Sequence, residues 1–385
     1  MTDDLSSDSD QRRPGPLARL FDLADAFIDG VHRRLTPVER LPAAVGAVLF
    51  AILATTPFWF HHEAEYKSDD ILLIARGVET GIWEGLWRNL SRPFCDTWTI
   101  EFYRPLFTWT FCLEGNLFGD RPWAYFWVNV VWQALTVGAG YLVLRRMIGA
   151  RFAALSSLLF VVNPWVANNV NWLVGRCTVT ATFFVFCCVL LYLRHVDRKG
   201  DRRLEGLFKQ LPWAAFGLAF VGVFYRETAL FAVVLIFLLD LGEGRRDWRA
   251  FRDWCFLTLP FLVYLGVKYL VLGTLIGGYA RLAAMQGEPP EGAQGLALLG
   301  QYGNALLDLF MPGDGALSGG FDDGLRRWVG FGFLAILIVM CANRRVWRRP
   351  MTWVLLAFIV LHISPLLVVD QDVHGGTAQR WYTVM

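Results

Sequence analysis

The sequence predicts an all-α polytopic membrane protein, a bundle of about nine transmembrane helices with interfacial helices in its first external loop. Three observations predict it. The chain of 385 residues is 55% hydrophobic and only 18% charged, with a mean hydropathy of +0.40, a balance that soluble domains rarely have. Its apolar residues lie in long uncharged runs, and about 20 such residues cross a ~30 Å hydrocarbon core as a helix. Its basic residues cluster in alternate connections between the runs, as they do in a chain threaded back and forth across a membrane.

The elements follow in order. Residues 1–16 are polar and acidic and end in Arg-Arg-Pro-Gly-Pro. They have no apolar core, so they are no signal peptide, and they read as a disordered cytoplasmic tail. Within 17–40, Leu17, Leu20, Phe21, Ala24, Phe27, Ile28 and Val31 recur at helical spacing, with Arg33 and Arg34 after them. That is an amphipathic juxtamembrane helix, lying on the inner membrane surface or packed on cytoplasmic loops. The membrane domain occupies 41–385. Its spans are 41–60, 122–144, 152–175, 177–193, 211–225, 228–239, 254–273, 328–343 and 351–369. Two short spans must turn at Arg226-Glu227. One long helix there would invert everything downstream and break the charge rule.

With nine spans, the basic clusters at Arg33-Arg34, Arg145-Arg146, Arg202-Arg203, Arg245-Arg246 and Arg344-Arg345 all fall on one side. The positive-inside bias then puts the N-terminus in the cytoplasm. A bacterial inner membrane is the expected location, an ER-type membrane the alternative. The opposite side carries two large loops, 61–121 and 277–327. A net charge of +2 with no basic patch argues against nucleic acid as a partner. The seven cysteines form no disulfide framework. Most sit in or at the ends of spans, and only Cys95 and Cys177 could face an oxidising compartment. The sequence stops at Met385 just after a polar segment, so further spans are expected beyond it.

Candidate functional residues gather on the external side. Asp69 and Asp70 begin just past the first span, ahead of Ile71, Leu72, Leu73 and Ile74 and then Ile82, Trp83, Leu86 and Trp87. This is an interfacial helix pattern with Trp at headgroup depth. A carboxylate pair held there could deprotonate an acceptor hydroxyl. It could equally start a helix, after Ser68. Arg104, before Pro105, could grip a phosphate with its planar fork or snorkel to the headgroups. Arg176, and Arg226 beside Glu227, pose the same choice. Lys268 stands inside a span, where an ionisable residue is costly and marks a functional candidate. His61-His62 with Glu63 and Glu65 has no defined ligand spacing, so no metal site is assigned. Neither a phosphate-binding Gly-rich loop nor a nucleophile elbow is present.

These residues fall within a wider set of motifs. Tyr-x-Ser-Asp-Asp-Ile at 66–71, Trp-x-Asn-Leu at 87–90, Tyr-Arg-Pro-Leu at 103–106 and Leu-Phe-Gly-x-x-Pro-Trp-x-Tyr-x-x-x-Asn at 117–129 stand in one order. Asn163-Pro164, Val174-Gly175-Arg176, Arg226-Glu227 and Gln379-Arg380-Trp381-Tyr382 follow. Over about 41–382 the chain resembles the GT-C membrane glycosyltransferases. The closest likeness is to the transmembrane O-mannosyltransferases that carry tetratricopeptide repeats, and to their bacterial relatives. It departs from many of them in having Asn163-Pro164 for His-Pro and Asn168-Asn169 where they have an acidic residue. Gly175-Arg176-Cys177-Thr178 stands for Gly-Arg-x-Asp, and Arg226-Glu227 for Lys-Glu.

The resemblance implies a GT-C-like bundle and an inverting transfer from a polyprenyl- or dolichyl-phosphate sugar to an acceptor protein, lipid or glycan. It implies that the general base is Asp69 or Asp70, with Asp70 slightly favoured, and that Arg104, Arg176 and Arg380 lie near the donor phosphate. Arg226, Glu227 and Lys268 complete the expected donor-binding set. The other function class is a transporter or lipid-binding membrane protein, which would use the same Lys and carboxylates for binding. A transporter often shows two related halves, and no convincing internal repeat is visible here.

Overall fold

Proline and glycine punctuate a chain that is helical in every regular element described. The structure, a computed structural model, describes residues 39–59, 69–96, 102–161, 169–198 and 211–274. Helix α1 spans Ala43–Thr55 and runs into a 3-10 turn at Thr56–Phe58. Two short amphipathic helices follow, α2 (Asp69–Glu79) and α3 (Ile82–Ser91). Then come α4 (Pro105–Phe118), α5 (Pro122–Ile148) and α6 (Ala150–Val161). The set ends with α7 (Arg176–Arg198), α8 (Trp213–Tyr225), α9 (Phe231–Gly242) and α10 (Trp248–Leu272). Helices α4 and α5 both start with Pro, whose fixed φ suits a first helical position and whose missing N–H is not needed there. They end at Gly119 (φ 65°) and Gly149 (φ 89°), backbone conformations that a side chain disfavours.

Helix α5, the segment Leu173–Asp197 and α10 are each long and apolar enough to cross a membrane. Each of the first seven predicted spans overlaps a described helix, α1 and then α5 to α10, and the third also holds helical residues at 169–171. Spans 328–343 and 351–369, the loop 277–327, the tail 1–16, nearly all of 17–40 and Arg380 lie outside the described residues. So do His61, His62, Asn163 and Pro164.

Side-chain contacts give the helix directions. Helix α1 packs along α5, and α7 lies against both α5 and α8. At one end of the bundle Phe58 meets Phe126, and Arg226 reaches Cys177 at the start of α7. At the other end Cys188 donates to the Ala215 carbonyl, Tyr192 bonds Asp240, and Arg146 pairs with Asp197 at 2.7 Å. Helix α8 therefore runs back along α7, and α9 returns beside it. The expected turn at Arg226-Glu227 is present. Arg226 is extended (φ −164°, ψ 138°), and a 3-10 turn, Glu227–Leu230, leads into α9. The basic residues Arg145, Arg146 and Arg245 share the Asp240 end, and the motif residues Asp70, Arg104, Arg176 and Glu227 share the Arg226 end.

The third predicted span, 152–175, is corrected in part. Its helix α6 ends at Val161, Trp172 is extended, and Leu173–Gly175 is a 3-10 turn feeding straight into α7. A uniform apolar run does not reveal this. The Asn129 side chain donates to the Val170 carbonyl at 2.9 Å, so this carbonyl is satisfied from α5. Gly175 is pressed on the chain before it, since a Cβ there would stand 2.7 Å from the Asn169 carbonyl oxygen.

Helices α2 and α3 form the expected first-loop layer, and both pack on α4. The α2–α4 crossing is backbone to backbone: a Cβ on Gly77 would lie 2.3 Å from the Phe111 carbonyl oxygen, and one on Gly115 2.3 Å from the Gly77 carbonyl carbon. Leu73, Ile74, Phe107, Phe111, Tyr125, Leu173 and Val174 bury one another beneath this layer, while Trp83 and Trp87 point outward.

Candidate functional site

The described part of the segment between α1 and α4 is tied to the bundle through a carboxylate. Asp70 is 0% exposed, and its Oδ1 accepts the Val174 backbone N–H at 3.0 Å. The 3-10 turn at Leu173–Gly175 aims that N–H outward, where an α-helix would have directed it to a carbonyl four residues back. Two motifs 104 positions apart in the chain thus meet. Asp69 occupies the first position of α2, and its side chain lies outside the described residues.

A second cluster forms one turn along α7. Arg104 precedes α4, and Arg226 and Glu227 occupy the break between α8 and α9. Arg104 Nη2 donates to Glu227 Oε1 at 3.1 Å. Arg104 Nη1 lies 3.8 Å and Arg226 Nη1 3.6 Å from the Cys177 sulfur, so two guanidiniums converge on one thiol. Arg104 is also stacked over the Phe102 ring at 4.4 Å, and its buried Nε has no hydrogen-bond partner among the described residues. Burial works against charge on Glu227. Arg104 and Arg226 outweigh it, and with the Arg104 hydrogen bond they hold the carboxyl down at about 2. Glu227 is therefore ionised at neutral pH, and the three groups together carry surplus positive charge.

Tyr264 closes this cluster from α10, its hydroxyl donating to the Tyr103 carbonyl at 2.9 Å. Lys268 is buried one turn beyond Tyr264 on the same face of α10. It lies on the side of α10 that faces Tyr103.

Arg176 is placed differently. It is 0% exposed and points into the core between α4 and α5. It donates to Glu114 and to the Asn129 side chain, and to the Tyr125 carbonyl at 3.2 Å, with its guanidinium over the Phe111 ring at 4.7 Å. This geometry joins α4, α5 and α7 and does not favour the expectation that Arg176 contacts a donor phosphate.

Sequence reasoning did not single out Cys177 as an arginine contact or Glu114 as the partner of Arg176. Glu114 had a legible signal, a lone acid in an otherwise apolar segment, which asks for a buried partner. Cys177 had none. Its place in the sequence allowed it to face an oxidising compartment, and it is a buried free thiol. Among the described residues no group of three His, Cys, Asp or Glu side chains could hold a metal ion.

Residues 103–269 match the family described as dolichyl-phosphate-mannose-protein mannosyltransferase. Protein O-mannosyl-transferase TMTC2 of Homo sapiens is 25% identical over 264 residues, 66% of this chain and 30% of that protein. The Mus musculus protein of the same name is 25% identical over 163 residues, 42% of this chain and 19% of its own length. The matched region thus covers less than a third of these relatives. No solved structure matches the chain. Arg104, Arg176, Cys177, Arg226, Glu227 and Lys268 all lie in the matched stretch, and the chain is a membrane protein that resembles the GT-C glycosyltransferases of the O-mannosyltransferase kind.

Proposed function

We propose that this protein transfers a sugar, with inversion, from a polyprenyl- or dolichyl-phosphate donor to an acceptor hydroxyl at the membrane boundary where Asp70 and Arg104 lie. The observation that carries the reading is the convergence of Arg104 and Arg226 on one buried point. It stands at the same end of the bundle as a fully buried carboxylate.

Asp70 is the proposed base. It takes the acceptor proton as the acceptor oxygen attacks the anomeric carbon. The bond from that carbon to the donor phosphate breaks, and the lipid phosphate leaves with the electron pair. Such a base contributes ~10²–10⁴-fold. Arg104 and Arg226, with Lys268 behind them and Arg380 from the chain outside the described residues, offset the charge that grows on the leaving phosphate. Glu227 holds the Arg104 fork in place. Asp69 sits one residue from Asp70 and is the competing base. Arg176 acts here by positioning, through the core it knits under Val174.

Positive-inside bias puts the site on the face away from the cytoplasm. The relatives matched are animal proteins, so a bacterial inner membrane gains no support from them. The reading therefore keeps the alternative, an ER-type membrane.

The test is transfer in membranes from a panel of radiolabelled polyprenyl-phosphate sugars, with Asp69→Asn and Asp70→Asn as controls. Transfer lost in Asp70→Asn and kept in Asp69→Asn supports the reading, and the reverse moves the base to Asp69. No transfer from any donor, with lipid binding equal in all three proteins, favours a transport or lipid-binding role.

A further inference from the structure

A second cluster of arginines stands in the first external loop, apart from the one around Arg104. Three arginines converge on one carboxylate oxygen, Asp96 Oδ2: Arg88 Nη2 at 2.5 Å, Arg76 Nη1 at 3.5 Å and Arg92 Nη1 at 3.7 Å. Only Arg88 hydrogen-bonds it, through Nε and Nη2. Arg76 and Arg92 stand at ion-pair distance. Among the described residues, one carboxylate thus has three guanidiniums within 4 Å of it. The carboxylate is inside, its side chain 15% exposed, while Arg76, Arg88 and Arg92 are 30%, 38% and 53% exposed. The fork donors not aimed at Asp96 have an open approach from outside.

The surroundings say what approaches. Trp83 and Trp87, one turn apart on α3, are 78% and 74% exposed. Exposed Trp pairs on an amphipathic helix lie at headgroup depth. Arg88 adjoins Trp87, and Arg92 follows one turn later. The commonest anion at that depth is a lipid phosphodiester, whose two free oxygens the guanidinium fork matches, and a cluster with surplus positive charge favours a headgroup that carries no cation of its own.

Asp96 has φ 51°, a left-handed backbone that suits Asp or Asn far better than bulkier residues. Together with the Arg88 bonds, this fixes the carboxylate inside the arginine ring.

We propose that Arg76, Arg88 and Arg92 form a binding site for the phosphate of an anionic phospholipid headgroup, with Trp83 and Trp87 set in the interface beside it. The site seats α2 and α3 on the leaflet. It is separate from the proposed donor site and does not rest on it.

The experiment uses the full chain in detergent, with equal amounts of phosphatidylglycerol and phosphatidylcholine. Retained lipid is read by native mass spectrometry, and folding by the thermal midpoint. The expected result is a preference for phosphatidylglycerol that falls about fivefold for each arginine removed, as ~1 kcal/mol per basic residue at an anionic surface implies, in Arg92→Gln and then Arg88→Gln/Arg92→Gln. Asp96→Asn keeps the left-handed turn and removes the competing charge, so it should raise the preference. An unchanged preference in folded arginine variants, or a lowered one in Asp96→Asn, overturns the proposal. Displacement of the phosphatidylglycerol by excess inorganic phosphate, with the wild-type midpoint raised by phosphate alone, would assign the site to a free anion and overturn the lipid assignment.

Discussion

Asp70 and Val174 are joined by a hydrogen bond of 3.0 Å between a fully buried carboxylate and a backbone amide. The bond fixes the start of α2 against the turn that enters α7, so the carboxylate is held by backbone and not by a mobile side chain. Preorganisation of this kind is what a positioned base requires.

Asp70→Asn retains an oxygen that can accept from Val174. It should therefore fold normally and lose ~10²–10⁴-fold in transfer rate. Asp70→Ala leaves the Val174 N–H unsatisfied and should also lose ~1–3 kcal/mol of stability. Transfer assays beside thermal unfolding in detergent separate the two effects. Equal activity in Asp70→Asn and wild type would remove Asp70 as the base.

The Arg104–Glu227 pair spans α4 and the break before α9, with side chains 8% and 28% exposed. Arg104→Gln should weaken donor binding about tenfold or more, since a charge-assisted phosphate contact contributes ~1.5–3 kcal/mol. Arg104→Lys should recover only part of it, lacking the fork. Donor titration of both variants checks this, and a full recovery by Lys would argue for a simple point charge.

Glu114 and Arg176 form a buried pair deep in the core. Removing one partner strands the other, which costs ~3–5 kcal/mol. Glu114→Ala should lower the thermal midpoint strongly and reduce the yield of folded protein. Any loss of transfer should then follow the loss of folded protein. A folded, stable Glu114→Ala with altered donor affinity would instead bring Arg176 into the donor site.

The close approach of α2 to α4 predicts that Gly77→Ala and Gly115→Ala each destabilise by ~1–3 kcal/mol, the usual range for overpacking. In both cases the added carbon meets backbone, which cannot swing aside. Midpoints equal to wild type would show that the helices separate without strain.

The carboxyl of Glu227 is lowered from 4.5 to about 2. A lowered folded-state value favours the folded protein above the usual carboxylate range. The contribution is complete above about pH 5 and is lost as pH falls from there through about 2. Stability should not change between pH 6 and 8 through this group. Below about pH 4.5 the wild type should lose more stability than Glu227→Gln, read from paired thermal scans.

Much of the architecture was legible in the residues themselves. Apolar runs long enough to span lipid, basic clusters in alternate connections, and Pro and Gly at the ends of α4 and α5 each act through local chemistry. So did the break at Arg226-Glu227, where two charges interrupt an apolar stretch. Hydropathy could not distinguish the end of one span from the start of the next at 169–175, because both are apolar. There the course of the chain depends on Asn129, some 40 positions earlier.

The candidate site divides along the same line. The expectation that Asp70, Arg104, Arg226 and Glu227 share one side of the membrane followed from their order among the spans, and Lys268 stood out as an ionisable residue inside one. Tertiary structure alone decided that Arg104 and Arg226 meet at Cys177, that Arg176 turns inward to Glu114, and that Asp70 is held by Val174. Each of these contacts joins residues far apart in sequence. Their partners are set by how the helices pack and by the need of every buried charge and amide to find an opposite.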